Sequence, residues 1–143
     1  LISFEGLDNC GKTTIVGKLK KYYDGLNILT DFTREFETNI GREIKNVKAG
    51  VLDPVLKTYL FAADRYIRTK IYEEDYNSKI IFFDRYYQSA LAYRMAENID
   101  KNWVKNINRI FREPDMIFYI DITLKNQSEE IRIQNLILLS LNS

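Results

Sequence analysis

The sequence predicts a three-layer α/β fold, with a central parallel sheet flanked by helices. Two observations carry this expectation. Short apolar runs alternate with stretches whose apolar residues recur at helical spacing, the pattern of βα units and a largely parallel sheet. A glycine-rich turn also separates the first apolar run from the first helical stretch, the setting of a phosphate-binding loop. The chain has 143 residues, close to the rough domain size of about 150. Residues 1–143 are therefore expected to form a single domain.

The first strand reads Leu1-Ile2-Ser3-Phe4-Glu5. After the turn, Ile15, Val16, Leu19, Tyr22 and Tyr23 share one face of a helix predicted from about Thr13 to Tyr23. Asn27 to Phe32 is a second short strand, followed by a loop carrying Thr33-Arg34-Glu35. Ile40, Ile44 and Val47 suggest a short helix. Asp53-Pro54 starts a long one, with Asp as N-cap and Pro at the first helical position. Val55, Leu56, Tyr59, Leu60, Ala63, Ile67 and Ile71 form its expected inward stripe. Ile80-Ile81-Phe82-Phe83 is a buried strand ending at Asp84-Arg85. A helix begins near Tyr87, and another follows Asp100 with Trp103, Val104, Ile107, Ile110 and Phe111 facing inward. Pro114 precedes the fourth strand, Met116 to Asp121.

Composition excludes several chemistries. Lys and Arg number 21 against 20 Asp and Glu, a net charge of +1, which argues against a nucleic-acid-binding face. There is one Cys and no His. Ser-His-Asp catalysis, Cys-His nucleophiles, His-ligated zinc and an internal disulfide framework are all ruled out. No run approaches the roughly 18 apolar residues of a membrane span, and no signal-peptide pattern is present. A cytoplasmic protein without a membrane partner is expected. Leu1 opens directly inside an apolar run without Met, so the chain is expected to be part of a longer gene product.

Gly6-Leu7-Asp8-Asn9-Cys10-Gly11-Lys12-Thr13 matches G-x-x-x-x-G-K-[ST] at every fixed position. Its glycines let backbone N–H groups close around phosphate oxygens, and the following helix adds its N-terminal dipole. Lys12 is suited to the β- and γ-phosphates and Thr13 to Mg²⁺. Asp84-Arg85 stands at the carboxyl end of a buried strand, where open α/β sheets place their ligands. A carboxylate there can hold Mg²⁺ through water, and an Arg can grip phosphoryl oxygens bidentately. Arg34, on a loop after a strand, is suited to a second phosphate. Phe61 and Arg65 lie four apart on one helix face, an arrangement that serves either core packing or a base-binding pair.

Together these motifs resemble those of the thymidylate kinase family. The match runs through Phe4-Glu5-Gly6-Leu7-Asp8, Gly11-Lys12-Thr13-Thr14 and Thr33-Arg34-Glu35. It continues through Leu60-Phe61-Ala62-Ala63-Asp64-Arg65, Asp84 to Tyr93, and Pro114 to Asp121, covering residues 1 to about 125. The resemblance implies a P-loop NTPase fold and transfer of the ATP γ-phosphoryl group to dTMP, giving dTDP, with Mg²⁺, in a homodimer. It implies ATP binding by Gly6, Leu7, Asp8, Asn9, Cys10, Gly11, Lys12, Thr13 and Thr14. Lys12, Arg85 and Asp8 would be catalytic, with Asp8 accepting from the substrate 3′-hydroxyl. Arg34 and Arg85 would hold the dTMP phosphate and the transferring group. Phe61 would stack on thymine, Arg65 would donate to its O4, and Ser89 and Tyr93 would line the base and sugar pocket. Thr13 and Asp84 would serve the metal. Two alternatives stay open: another nucleotide or deoxynucleoside kinase of this fold, and a nucleotide-binding module that has lost catalysis.

The absent histidine fits such a reaction. Phosphoryl transfer through a loose transition state needs positioning and charge neutralisation, and the attacking phosphate oxygen is already an anion. Three features depart from the family pattern. Arg94 stands where many members carry Gln, and it is left outside the expected site. Phe36-Glu37-Thr38-Asn39 replaces a Pro-Gly-Gly loop, and Cys10 occupies a position where some members place a catalytic Arg. Members without that Arg supply basic residues from a lid after the fourth strand. Here Lys125 to Glu130 runs straight into an apolar, helix-like tail, so the lid segment after about residue 126 is expected to be missing.

Overall fold

The computed structural model describes residues 1–47, 51–123 and 130–135. Its elements are β1 (Ile2–Gly6), α1 (Lys12–Gly25), β2 (Thr30–Arg34), α2 (Asn39–Asn46), α3 (Pro54–Ile71), β3 (Ile80–Asp84), α4 (Tyr87–Ala96), α5 (Lys101–Asn108), β4 (Met116–Thr123) and β5 (Glu130–Asn135). The sheet order is β2-β3-β1-β4-β5. The first four strands are parallel, and β5 joins β4 antiparallel. This is the expected α/β fold, closed by one antiparallel edge strand. The helix-like reading is corrected over Glu130–Asn135, which pairs with β4 as strand, and the rest of the tail lies outside the described residues. The expected lid position near residue 126 lies outside the described residues.

Strand β3 holds the layers together. Ile81, Phe82 and Phe83 are all fully buried, so successive side chains fill both faces of the sheet. Ile81 and Phe83 pack with Leu1, Tyr86 and Phe111 beneath α3 and α4. Phe82 packs with Phe4, Val16 and Ile120 on the opposite face, beneath α1. The register Phe4↔Asp84 sets the end of β3 two residues before the end of β1 at Gly6, so Asp84 and Arg85 emerge beside the last residues of β1.

Caps follow the sequence. The Asp53 carboxylate accepts from the N–H groups of Val55 and Leu56, and Asp100 accepts from Trp103 N–H. Boundaries and faces differ in three places. Strand β2 starts at Thr30, because Asn27 takes a positive φ of 56° in a turn that closes α1. Ile110 lies past the end of α5 and is exposed, so it falls off the predicted stripe. The third difference reverses an expectation. On α3 the buried residues are Thr58, Asp64, Arg65 and Arg68, whereas Val55, Leu56, Tyr59 and Ile71 are exposed. The polar side turns inward because its charges find partners there: Asp64 pairs with Arg68 at 3.2 Å, and Arg65 donates to Asn108 at 2.6 Å.

Two glycines test the backbone in opposite directions. Gly6 has φ 144°, and a Cβ there would sit 2.4 Å from the carbonyl oxygen of Ile120 and 2.9 Å from Cys10 Sγ. Gly17, within α1, has nothing within 4 Å of such an atom. Gly6→Ala is expected to lower unfolding free energy by about 1–3 kcal/mol through strain. Gly17→Ala is expected to raise it by about 0.5–1 kcal/mol, since Gly is costly in a helix. Denaturant titration of both variants checks the pair, and equal signs would contradict the local geometry.

Candidate active site

The glycine-rich turn closes through two left-handed residues, Asn9 with φ 61° and Gly11 with φ 88°, and Gly11 is the N-cap of α1. Lys12 follows immediately and is buried. Its ammonium donates to the carbonyl of Leu7 at 2.6 Å and to that of Gly6 at 3.3 Å. The Thr13 hydroxyl donates to Asp84 Oδ2 at 3.0 Å. That bond ties the start of α1 to the end of β3.

Arg85, the next residue, has φ 66°, an uncommon conformation for a long side chain and one that clusters at functional sites. Its guanidinium donates to Asp8 Oδ1 at 2.6 Å and to Ser89 Oγ at 3.3 Å, and lies 5.3 Å from the Tyr93 ring centroid. Arg34 is exposed and pairs with Glu37 at 3.0 Å.

Two adjoining cavities result. The larger, about 840 Å³, is lined by Asp8 through Thr14, by Arg34 to Glu37, by Lys45, and by Asp84 and Arg85. The smaller, about 220 Å³, has aromatic walls of Phe36, Phe61 and Tyr93, with Thr58, Ala90 and Arg94 completing it. Both share Asp8, Glu35, Phe36 and Arg85.

Most of the expected site residues therefore meet. Asp8, Asn9, Cys10, Gly11, Lys12, Thr13, Thr14, Arg34, Asp84 and Arg85 border the larger cavity, and Phe61 and Tyr93 the smaller. Four lie off these surfaces. Gly6 is buried behind the loop, and Leu7 points to solvent. Ser89 is buried behind Arg85. Arg65 is 1% exposed, bonded to Asn108 and stacked 5.4 Å from the Phe111 ring, and it borders neither cavity. Burial pulls its pKa down to about 10. Arg94 stands in the wall of the smaller cavity instead, 5.8 Å from the Phe61 ring centroid and paired with Glu97 at 3.1 Å. Arg94, Lys45, Thr58 and Glu35 were missed from sequence. For Arg94 the departure from the usual Gln was the available signal.

A three-part ligand set of acidic, Cys or His side chains is absent among the described residues. The Thr13 hydroxyl beside the Asp84 carboxylate is still an all-oxygen pair of the kind Mg²⁺ takes, since that ion keeps several waters and uses substrate phosphates as ligands.

The thymidylate kinase family model matches residues 4–138. The chain belongs to the thymidylate kinase family. Phosphorylation of dTMP is that family's function. A probable thymidylate kinase of Sulfurisphaera tokodaii is 40% identical over 136 residues, covering 92% of this chain and 68% of the relative. One from Sulfolobus acidocaldarius is 36% identical, covering 94% and 69%. The crystal structure of thymidylate kinase from Ehrlichia chaffeensis superposes with a TM-score of 0.70 at 30% identity, over 84% of this chain and 71% of that one. The chain thus spans about two-thirds of the length of the thymidylate kinases it matches.

Glu35 borders both cavities. Burial raises its carboxyl above the ordinary value of 4.5, against the attraction of Arg65, Arg68 and Arg85. A carboxyl raised by folding binds its proton more tightly in the native state, so stability is lost as pH rises from the ordinary value to the raised one. Glu35→Gln is therefore expected to melt higher than the parent near pH 8, with the gain vanishing as pH falls toward about 4. Melting curves across that range check it, and a pH-independent difference would place the effect elsewhere.

Proposed function

We propose that the chain phosphorylates dTMP to dTDP with the γ-phosphoryl group of ATP. The observation that carries this reading is the pair of adjoining cavities that share Arg85. One is polar and built on a phosphate loop, the other aromatic-walled and small. ATP phosphates lie on the backbone amides of residues 6–14 with Lys12 at the β- and γ-groups. The dTMP phosphate takes Arg34 from Glu37, and its base enters between Phe61 and Tyr93. Asp8 receives the 3′-hydroxyl.

A phosphate oxygen of dTMP attacks the γ-phosphorus, and the bond from that phosphorus to the β-bridging oxygen breaks. The charge ends on ADP. Arg85 lies between donor and acceptor and neutralises the equatorial oxygens during transfer. Lys12 does the same for the leaving phosphate. Thr13 and Asp84 would hold Mg²⁺, which when bound supplies further charge neutralisation at the phosphates. No side chain has to remove a proton, consistent with a sequence that contains no histidine.

The base edge has two candidate donors. Arg94 already borders the cavity, whereas Arg65 contributes only by leaving Asn108. A guanidinium donates and never accepts, so it suits a pyrimidine carbonyl oxygen. The reading also includes a cytoplasmic location and a homodimer paired through the exposed face of α3 that carries Leu56, Tyr59 and Tyr66.

Coupled ADP release measured with dTMP, dUMP, dGMP and thymidine tests the function; dTMP is expected to give the highest kcat/KM, and absence of that preference overturns the reading. Lys12→Ala is expected to lower kcat by at least about 100-fold, an oxyanion-stabilisation magnitude, with dTMP affinity nearly unchanged. Equal loss of dTMP affinity in calorimetry would contradict its place at ATP. Arg65→Ala and Arg94→Gln are expected to raise the dTMP KM without changing that of ATP, and the larger rise identifies the base-edge donor.

A further inference from the structure

The peptide that follows β3 is held by two buried charged side chains to which the reading above gives no part. Arg85, with its φ of 66°, donates its N–H to the carbonyl of Phe4 at 3.0 Å. Its own carbonyl accepts from Arg68 Nη1 and Nη2 at 3.5 and 3.4 Å. The next N–H, that of Tyr86, donates to Glu5 Oε1 at 3.0 Å. Glu5 also accepts from the hydroxyls of Ser3 and Ser89, one on each carboxylate oxygen. Ser89 Oγ in turn accepts from Arg85 Nη1.

The direction of these bonds matters. A serine hydroxyl has one proton. Once Ser89 commits that proton to Glu5, only lone pairs remain to face the guanidinium of Arg85. Glu5 thus acts on Arg85 twice, through the Tyr86 N–H that holds the strained backbone and through the hydroxyl that aims the side chain. All three of its contacts are donors, and a carboxylate, which only accepts, has lone pairs on both oxygens for them. Glu5 and Arg68 are 5% and 1% exposed, so neither can contact a ligand in the cavities.

We propose that Glu5 is a positioning residue for phosphoryl transfer, holding Arg85 in its catalytic orientation through Ser89 and the Tyr86 N–H, with Arg68 clamping the other end of the same peptide. This rests on the reading that Arg85 neutralises the transferring group. Removing such support displaces the guanidinium by a fraction of an ångström to an ångström, a misplacement that costs on the order of 100-fold in rate.

The test is a double-mutant cycle on kcat with saturating ATP and dTMP, using Glu5→Gln and Arg85→Ala alone and combined. Glu5→Gln is expected to reduce kcat by about 10- to 100-fold while the ATP KM stays within twofold. In the Arg85→Ala background the same change should cost less than twofold, because its target is gone. Ser89→Ala, which keeps the buried carboxylate and its bond to Tyr86, should repeat the pattern and serves if Glu5→Gln folds poorly. An equal cost of Glu5→Gln or Ser89→Ala in both backgrounds, or no cost in either, overturns the proposal and leaves Arg85 as read. An unchanged kcat in Arg85→Ala alone overturns the reading of Arg85, and this proposal with it.

Discussion

The chemistry of this molecule depends on the parallel pairing of β1 with β3. The register Phe4↔Asp84 ends β3 beside the last residues of β1, and the bond from Arg85 N–H to the Phe4 carbonyl extends the pairing one residue past β3. Two loops far apart in sequence then emerge at the same edge. Three cross-links between them follow: Thr13 to Asp84, Asp8 to Arg85, and Glu5 to Tyr86. Parallel sheets concentrate loops at the carboxyl ends of their strands, and here the geometry brings the glycine-rich loop against the Asp84 carboxylate and Arg85.

Three cations at this edge are occupied by the protein's own acceptors. Lys12 lies on the carbonyl of Leu7, Arg34 on Glu37 and Arg85 on Asp8. Such pairs keep the charges in place without collapsing the cavity, and on the proposed reading arriving phosphates exchange for them. Catalysis by electrostatics relies on charges fixed before reaction. The buried face of α3 extends the same economy: Arg68 is bound to Asp64 and to the Arg85 carbonyl. Buried ion pairs of this kind are weak evidence for stability, and their value here lies in position. Desolvation works against such a charge, and burial accordingly lowers the Arg65 pKa.

The phosphate loop was legible because its chemistry is local. Glycines at fixed spacing, a Lys and a Thr at a helix start state their geometry without help from the rest of the chain. The buried β3 run and the Asp53-Pro54 helix start were legible for the same reason. The inward face of α3 was not. Apolar periodicity pointed to Val55, Leu56 and Tyr59, yet the helix buries Asp64, Arg65 and Arg68; Asp64 and Arg68 pair along the helix, while the arginines also reach α5 and the turn after β3. Periodicity reads hydrophobic burial, and a buried charge whose acceptors come from distant elements, as Asn108 and the Arg85 carbonyl do, is invisible to it. Ser89 and Arg65 were expected at the ligand, but one is turned toward Glu5 and the other toward Asn108.

The sequence by itself determined the α/β class, the phosphate loop, the strand-end Asp84-Arg85 pair and the exclusion of histidine chemistry, because each depends on residues adjacent in the chain or on composition alone. Tertiary structure alone decided which arginine borders the smaller, aromatic-walled cavity, which carboxylate sits among three arginines, and that Glu5 meets Ser89 and the Tyr86 N–H behind Arg85. Those outcomes are set by distances between side chains brought together by strand register and helix packing, quantities that no local pattern of residues encodes.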